Sequence, residues 1–285
     1  MRNFSPQTQG LIAINVAAVI FGSAALYGKL DLSPLWITFM RAIFAATALM
    51  ALGSWKGDIS FPPNRLWKDF IATGVLLAIH WLSFFASVQL AGVAVATLTF
   101  ATFPLFTVLI EAFHQQRQPR AAEIGASFAI ILAVGLLFKS HDANGNFAGT
   151  ASGLASAISY AWFWHASKYL GNALQPLSVS LFQNAAAALA LAPFLPLATP
   201  PSSQSADWLW LGLLGVVNTA LMLQLYLYAL RRISRSVCSG FVALEPVYAI
   251  LLAALFFQEP ITIWAGLSAA LIIGASFTLL RTEGI

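Results

Sequence analysis

Long apolar runs fill most of this 285-residue chain, and only short segments with prolines, glycines or charges separate them. Each run is about as long as the roughly 20 residues that a helix needs to cross about 30 Å of hydrocarbon. The runs predict ten spans, near residues 9–28, 35–54, 68–88, 93–113, 121–138, 149–168, 176–196, 207–229, 236–257 and 261–280. The third and fourth spans are the least separated, with only residues 89–92 between them, and their merger would reduce the count to nine.

Charged side chains are too few to cover a water-soluble surface. They make up 8% of the chain, against about 25% in a soluble domain, while 59% of the residues are hydrophobic. Ten spans also leave no room for a separate catalytic domain. We therefore expect an all-α polytopic membrane protein.

Cofactor, metal and catalytic motifs are not recognisable in the sequence. The four histidines are scattered, the cysteine is single, and neither a phosphate-binding glycine loop nor a hydrolase motif occurs. We expect no cofactor, no metal and no catalytic residue, so an enzyme is the least favoured class.

Basic residues are sorted between the two sides of the predicted bundle. Eleven lie on the side of the N-terminus, whereas Lys29 and Lys139 lie in the opposite loops. Because Lys and Arg are retained on the cytoplasmic face, both termini are expected on the cytoplasmic side of the inner membrane. This sorting accounts for the net charge of +4 without a nucleic-acid partner. The eleven are Arg2, Lys56, Arg65, Lys68, Arg117, Arg120, Lys168, Arg231, Arg232, Arg235 and Arg281.

The two halves of the chain match each other when offset by 141 or 142 residues. The matched pairs are Pro34 with Pro176, Arg41 with Gln183, Gly74 with Gly215, Pro104 with Pro246, Pro119 with Pro260, and Gly125 with Gly266. Five helices per half is an odd number, so the halves must enter the membrane in opposite orientations. The sequence thus predicts two inverted five-helix repeats, residues 1–140 and 141–285, an architecture typical of secondary transporters.

Pro104 and Pro246 lie near the middle of the fourth and ninth predicted spans. A proline inside a helix removes a backbone hydrogen bond, and in lipid this is tolerated where a neighbouring helix or a watery cavity satisfies the freed carbonyl. Equivalent breaks in two repeats indicate the binding centre; the alternative is a pair of structural kinks.

Two charges lie deep within the predicted spans. Glu245 adjoins Pro246, and a carboxylate in the bilayer core is costly unless it is neutralised or paired. Glu245 is therefore a candidate proton carrier, or else part of an ion pair or a hydrogen-bonded helix terminus. Arg41 could pair with Glu245, bind a substrate carboxylate or snorkel to the outer headgroups, and the sequence favours snorkelling.

Aromatic and polar residues at similar depth complete the candidate site. His80 and Phe84 share a helical face, and Trp162 lies too deep for an interfacial belt, which makes it a candidate stacking surface. Each could equally be a packing residue. The candidate substrate-binding residues are His80, Trp81, Phe84, Phe100, Pro104, Tyr160, Trp162, Asn218, Phe241 and Pro246, with Glu245 for proton coupling and Arg41 as a cavity charge.

Several short segments resemble the EamA-type members of the drug/metabolite transporter superfamily. They are residues 19–23 (VIFGS) with Pro34 and Arg41, the Ala161 and Trp162 pair, residues 228–233 (YALRRI), residues 244–247 (LEPV) and residues 258–260 (QEP). The resemblance covers essentially the whole chain. It implies a ten-helix permease of the cytoplasmic membrane, often an exporter of amino acids or other small metabolites.

We therefore expect a secondary transporter that exports small amphipathic metabolites, amino acids first, by alternating access. Efflux of cationic or aromatic drugs is the alternative within transport, and a structural subunit or sensor is the alternative outside it. The expected partners are a small-molecule substrate and the bilayer, with the chain as monomer or homodimer. A stripe of small residues, Gly266, Ala270 and Gly274, suits close helix packing, and packing inside the bundle is favoured over a dimer.

Overall fold

Ten helical spans follow one another in the computed structural model, which describes residues 4–118, 120–137, 143–202 and 205–282. Arg2, Pro119 and Lys139, which enter the sequence-based predictions, lie outside these residues. The uninterrupted spans are span 2 (Pro34–Lys56), span 5 (Ala121–Leu137), span 6 (Ala143–Ala173) and span 10 (Ile263–Thr282). Span 1 (Pro6–Ser23) and span 7 (Pro176–Leu191) each continue into a 3-10 segment, Ala24–Lys29 and Ala192–Leu197.

The remaining spans are interrupted. Spans 3 and 4 share the helical run Trp67–Phe100, which Gly92 divides because its φ of 85° and ψ of 170° are not helical. Span 4 continues as Phe103–His114. Span 8 runs through Ser205–Gly215, a π-helical segment Val216–Leu221, and Met222–Leu230, while span 9 consists of Arg235–Val242 and Glu245–Phe257. The break at Gly92 keeps the third and fourth spans separate, and the predicted count of ten is confirmed.

Local sequence explains where the spans begin. Ser5 and Ser33 precede spans 1 and 2, and their hydroxyls accept hydrogen bonds from the amides of Thr8 and Trp36, both at 3.2 Å. Such caps satisfy amides that lack a partner within the helix. Prolines occupy the first turns of spans 1, 2 and 7, where the missing N–H costs nothing.

Length and composition agree with a membrane environment. Among the described residues, five helical segments are long and apolar enough to cross a bilayer: Pro6–Lys29, Pro34–Lys56, Asn64–Phe100, Pro176–Leu197 and Ala206–Leu230. Spans 4, 5, 9 and 10 contain shorter apolar helices. Large apolar side chains such as Phe128 and Leu189 are exposed on the outside of the bundle, where lipid rather than water would cover them.

The packing of the spans repeats between the two halves. Span 1 packs against spans 8 and 9, and span 6 packs against spans 3 and 4. Spans 2 and 7 contact each other, as do spans 5 and 10. Exchanging spans 1–5 with spans 6–10 leaves this pattern unchanged, which confirms two five-helix repeats of opposite orientation.

Two glycines show how closely the repeats match. A Cβ atom added to Gly74 of span 3 would stand 2.8 Å from the backbone of Ala186 in span 7. At Gly215 of span 8, the equivalent atom would stand 2.9 Å from the amide nitrogen of Ala45 in span 2. Both the glycines and their partners are separated by 141 residues, so the same backbone contact is made twice.

Short loops place the spans alternately up and down. We call the ends next to residues 5–10, 56–67, 114–121, 173–176, 231–235 and 282 the N-terminal side, and the other ends the opposite side. Contacts between distant loops agree with this alternation. The hydroxyl of Ser178 donates to the carbonyl of Asp58 on the N-terminal side, and the amide side chain of Gln89 donates to the carbonyl of Leu32 on the opposite side.

The small-residue stripe of span 10 does not pack inside the bundle as expected. A Cβ atom added to Gly266 or Gly274 would meet nothing within 4 Å. These glycines face outward because span 10 contacts span 5 through another face, around Ala265, Ser268 and Ile272. The expectation of internal packing at the two glycines is therefore wrong.

Candidate functional site

Spans 4 and 9 break at equivalent points near the middle of the bundle. The first helix of span 4 ends at Phe100, and the second begins at Phe103 with Pro104 in its first turn. In span 9 the first helix ends at Val242, and the second begins at Glu245 with Pro246 in its first turn. Proline cannot donate the hydrogen bond that would continue each helix. Irregular backbone at this depth is tolerated where it is buried in protein or lines a cavity.

A cavity of about 200 Å³ lies between these two breaks. Spans 4, 6, 8, 9 and 10 form its walls, which are mainly aromatic and aliphatic. Trp164 and Tyr226 belong to the halves of spans 6 and 8 nearer the N-terminal side, so the cavity extends from the middle toward that side. Its lining residues are Phe100, Ala101, Phe103, Pro104, Trp164, Tyr226, Val242, Ala243, Glu245, Pro246, Ile272, Ile273 and Ser276.

Glu245 brings a carboxylate to this apolar cavity. The residue is only 6% exposed and begins the second helix of span 9, where the positive end of the helix dipole favours an anion. The three ion pairs found among the described residues do not include it. Arg41, the other buried charge considered for the site, is not in ion-pair contact with Glu245. The carboxylate is therefore accessible to a proton or to a cationic group in the cavity.

Arg41 stays inside the bundle and does not snorkel. It is 3% exposed, and its Nε donates a 3.0 Å hydrogen bond to the hydroxyl of Thr219 in span 8. Its guanidinium carbon lies 4.1 Å from the ring centroid of Trp81, a cation–π contact. The prediction of snorkelling is wrong because these partners, both in other spans, hold the guanidinium away from the membrane surface.

His80 anchors an aromatic cluster between spans 3, 4 and 6. Its Nδ1 lies 2.7 Å from the hydroxyl of Ser156. Its ring centroid lies 4.5 Å from that of Tyr160 and 4.8 Å from that of Phe100. Phe84 also packs against His80 and Phe100. The cluster reaches the cavity through Phe100, so His80 and Phe84 stand behind the wall of the cavity.

Other predicted residues are directed elsewhere. Trp162 is 40% exposed and contacts His114 and His165, away from the cavity lining. The side-chain amide of Asn218 donates to the carbonyl of Ile20 at 2.6 Å and so joins spans 8 and 1. Phe241 packs in a cluster with Ala13 and Cys238.

Trp164, Tyr226 and Ser276 line the cavity but were not among the sequence candidates. Trp164 follows Tyr160 by one helical turn, and their rings are 6.4 Å apart. The i, i+4 spacing could have selected Trp164 instead of Trp162. Ser276 carries the weaker signal of a polar residue inside an apolar span. Among the described residues, no group of three or more His, Cys, Asp or Glu side chains is placed to hold a metal ion.

Comparison with solved structures supports the fold. The crystal structure of another protein superposes with a TM-score of 0.68, over 97% of this chain and 98% of the other. At 19% sequence identity, this likeness concerns the fold alone.

Sequence comparisons extend over both repeats. An uncharacterized transporter, YxxF, of Bacillus subtilis (strain 168) is 22% identical, over 98% of this chain and 92% of its own length. An uncharacterized transporter of Archaeoglobus fulgidus is 24% identical, over 93% of each chain. Residues 8–139 and 147–281 each match the EamA-like transporter family. The protein thus belongs to the EamA-like transporter family and carries two copies of its domain.

Proposed function

We propose that this membrane transporter exports small amphipathic metabolites, with amino acids as the first class to test. The cavity between the breaks of spans 4 and 9 would hold the substrate. Its aromatic walls suit an apolar side chain, and the Glu245 carboxylate suits an amino group. The two repeats would rock about this cavity and expose it to each side of the membrane in turn.

We further propose that Glu245 carries a proton through the transport cycle. The observation that supports this role is a carboxylate that lines the cavity without an ion-pair partner among the described residues. An isolated charge at this depth costs about 2.5–3.5 kcal/mol or more. Protonation, or the binding of a cationic substrate group, would remove that cost, so the two would compete for one carboxylate and thereby couple their movements.

The proposed membrane is the cytoplasmic one, with both termini in the cytoplasm. Eleven basic residues on the N-terminal side against two on the other support this orientation. Reporter fusions at the C-terminus would be active only as cytoplasmic reporters; activity of a periplasmic reporter there would reverse the orientation. We also propose that the first repeat ends at residue 140 and that the second begins at residue 141.

Binding and flux measurements on purified protein would test the substrate class. A thermal-shift screen of amino acids, nucleosides, sugars and drugs should identify amino acids as stabilising ligands. Protein reconstituted in vesicles should then move the same amino acids when a pH gradient is imposed. Failure to move any amino acid under any imposed gradient would reject the amino-acid part of the proposal.

Efflux of cationic or aromatic drugs is the second candidate. It is favoured by the same carboxylate together with Trp164, Tyr226 and Phe100 in the cavity wall, since aromatic faces attract cations. Displacement of bound amino acid by cationic dyes at lower concentrations than by other amino acids would favour drug efflux. A non-transporting subunit or sensor is disfavoured, because such a protein needs no cavity at the repeat interface.

A further inference from the structure

An ion pair joins the two halves at the opposite side. Lys29, at the end of span 1, pairs with Glu259, which follows span 9. Glu259 also accepts a hydrogen bond from the backbone amide of Val93, at 3.1 Å, next to the break at Gly92. One carboxylate thus holds the ends of spans 1, 4 and 9 together.

A second ion pair joins the halves at the N-terminal side. Lys168 of span 6 pairs with Glu111 of span 4. The side chain of Lys168 is 57% exposed and that of Glu111 is 14% exposed, against 28% and 19% for Lys29 and Glu259. Both pairs therefore lie where the bundle meets water, rather than in its core.

The two ion pairs join equivalent pairs of spans, although their residues do not occupy equivalent positions. Exchanging the two repeats replaces span 1 with span 6 and span 9 with span 4. An ion pair between span 1 and the end of span 9 therefore corresponds to one between span 6 and the end of span 4. Since the repeats are inverted, the two bridges lie at opposite ends of the bundle. Each has its lysine in one half and its glutamate in the other.

We propose that these ion pairs are the two gates of the transporter. Given the proposed alternating access, Lys29 and Glu259 close the cavity to the opposite side, and Lys168 and Glu111 close it to the N-terminal side. Rocking of the halves about the middle separates one end at a time, so each opening breaks one pair. Partly exposed ion pairs contribute little free energy, which permits a gate to open in every cycle.

Arg117 and Glu123 provide a matched control pair. Two hydrogen bonds of 2.9 and 2.8 Å join them near the N-terminal side. Both residues belong to the first half and are only six positions apart in the chain. Rocking of the halves leaves this pair intact, so its charge reversal should not affect access to the cavity.

Side-specific labelling of a cysteine in the cavity tests the gates. Ser276→Cys is introduced into a Cys238→Ser background, and its reaction with a membrane-impermeant thiol reagent is measured from each side. Lys29→Glu places two carboxylates together, so we expect labelling from the opposite side to rise roughly threefold to tenfold. Lys168→Glu should raise labelling from the N-terminal side by a similar factor.

Charge exchange and a milder variant separate gating from misfolding. The double variant Lys168→Glu/Glu111→Lys should return labelling to the parent level. Lys29→Glu/Glu259→Lys should restore it only in part, because the ammonium group introduced at position 259 cannot accept the hydrogen bond from the Val93 amide. Arg117→Glu should change labelling on neither side. If Lys29→Glu does not fold, Lys29→Gln removes the attraction without adding repulsion and should raise labelling from the opposite side by a smaller factor.

Two results would contradict the proposal that these ion pairs are gates. Labelling of the parent from both sides, with no change in any Lys29 or Lys168 variant, would reject them and leave the transport proposal intact. Labelling of the parent from a single side under every substrate and pH condition would reject alternating access, and the gates with it.

Discussion

The two halves of the protein share their backbone design but differ in the charges placed on it. Spans 4 and 9 break at equivalent positions, yet Phe103 begins the second helix in span 4 where Glu245 begins it in span 9. Conversely, the first half has Arg41 where the second has Gln183. At these two pairs of positions, each half thus holds a buried charge where the other half holds a neutral residue. The repeat supplies the architecture of the site, and the departures from the repeat supply its chemistry.

The side chains of the equivalent residues Arg41 and Gln183 also differ in their hydrogen-bond partners. Arg41 donates to Thr219 of the other half and stacks on Trp81. Gln183 donates one 2.8 Å hydrogen bond to Ser167 within its own half. The charged member of the pair therefore ties the halves together, while the neutral member reinforces one half.

Arg41→Ala should have the largest effect on stability. It removes a desolvated cation–π contact and a hydrogen bond from a charged donor, for a loss of about 3 kcal/mol. Gln183→Ala removes a neutral hydrogen bond and should cost about 1 kcal/mol. Thermal unfolding in detergent micelles measures both, and equal losses would contradict the proposed difference between the equivalent positions.

Gly74→Ala and Gly215→Ala should have intermediate and similar effects. Each new methyl group would overlap the backbone of a neighbouring span, and overpacking of this kind costs about 1–3 kcal/mol. Gly125→Ala and Gly266→Ala are the matched controls, because a Cβ atom at either position would meet nothing within 4 Å. Comparable unfolding temperatures for all four variants would contradict the close approach seen at Gly74 and Gly215.

Ser156→Ala and Asn15→Ala should have small effects. It removes the 2.7 Å hydrogen bond to His80, for a loss of about 1 kcal/mol. The position 141 residues earlier is Asn15, whose side-chain oxygen accepts only a 3.4 Å hydrogen bond from Tyr248, so Asn15→Ala should change stability less. A loss for Asn15→Ala equal to or larger than that for Ser156→Ala would contradict this difference between the two halves.

Sequence reasoning was most successful where a local pattern determines the structure. Apolar runs define the spans, and prolines at a fixed offset locate the breaks, because membrane helices must satisfy their backbone within each segment. It was less successful where tertiary contacts decide. The partner of Arg41 is 178 residues away, and the face of span 6 that meets the cavity carries Trp164 and not Trp162. Such choices depend on the rotation of packed helices, which apolar periodicity hardly constrains when helices are apolar on all sides.

Proton movement by the Glu245→Gln variant is the most direct test of the central proposal, that Glu245 couples substrate to protons. Protein is reconstituted with a pH-sensitive dye inside the vesicles, and a gradient of the substrate identified by the binding screen is imposed. The natural protein should change the internal pH, whereas Glu245→Gln, which lacks the carboxylate that would pair with the amino group, should bind the substrate more weakly and, at saturating concentration, exchange it without any pH change. Proton movement by Glu245→Gln equal to that of the natural protein would contradict the account.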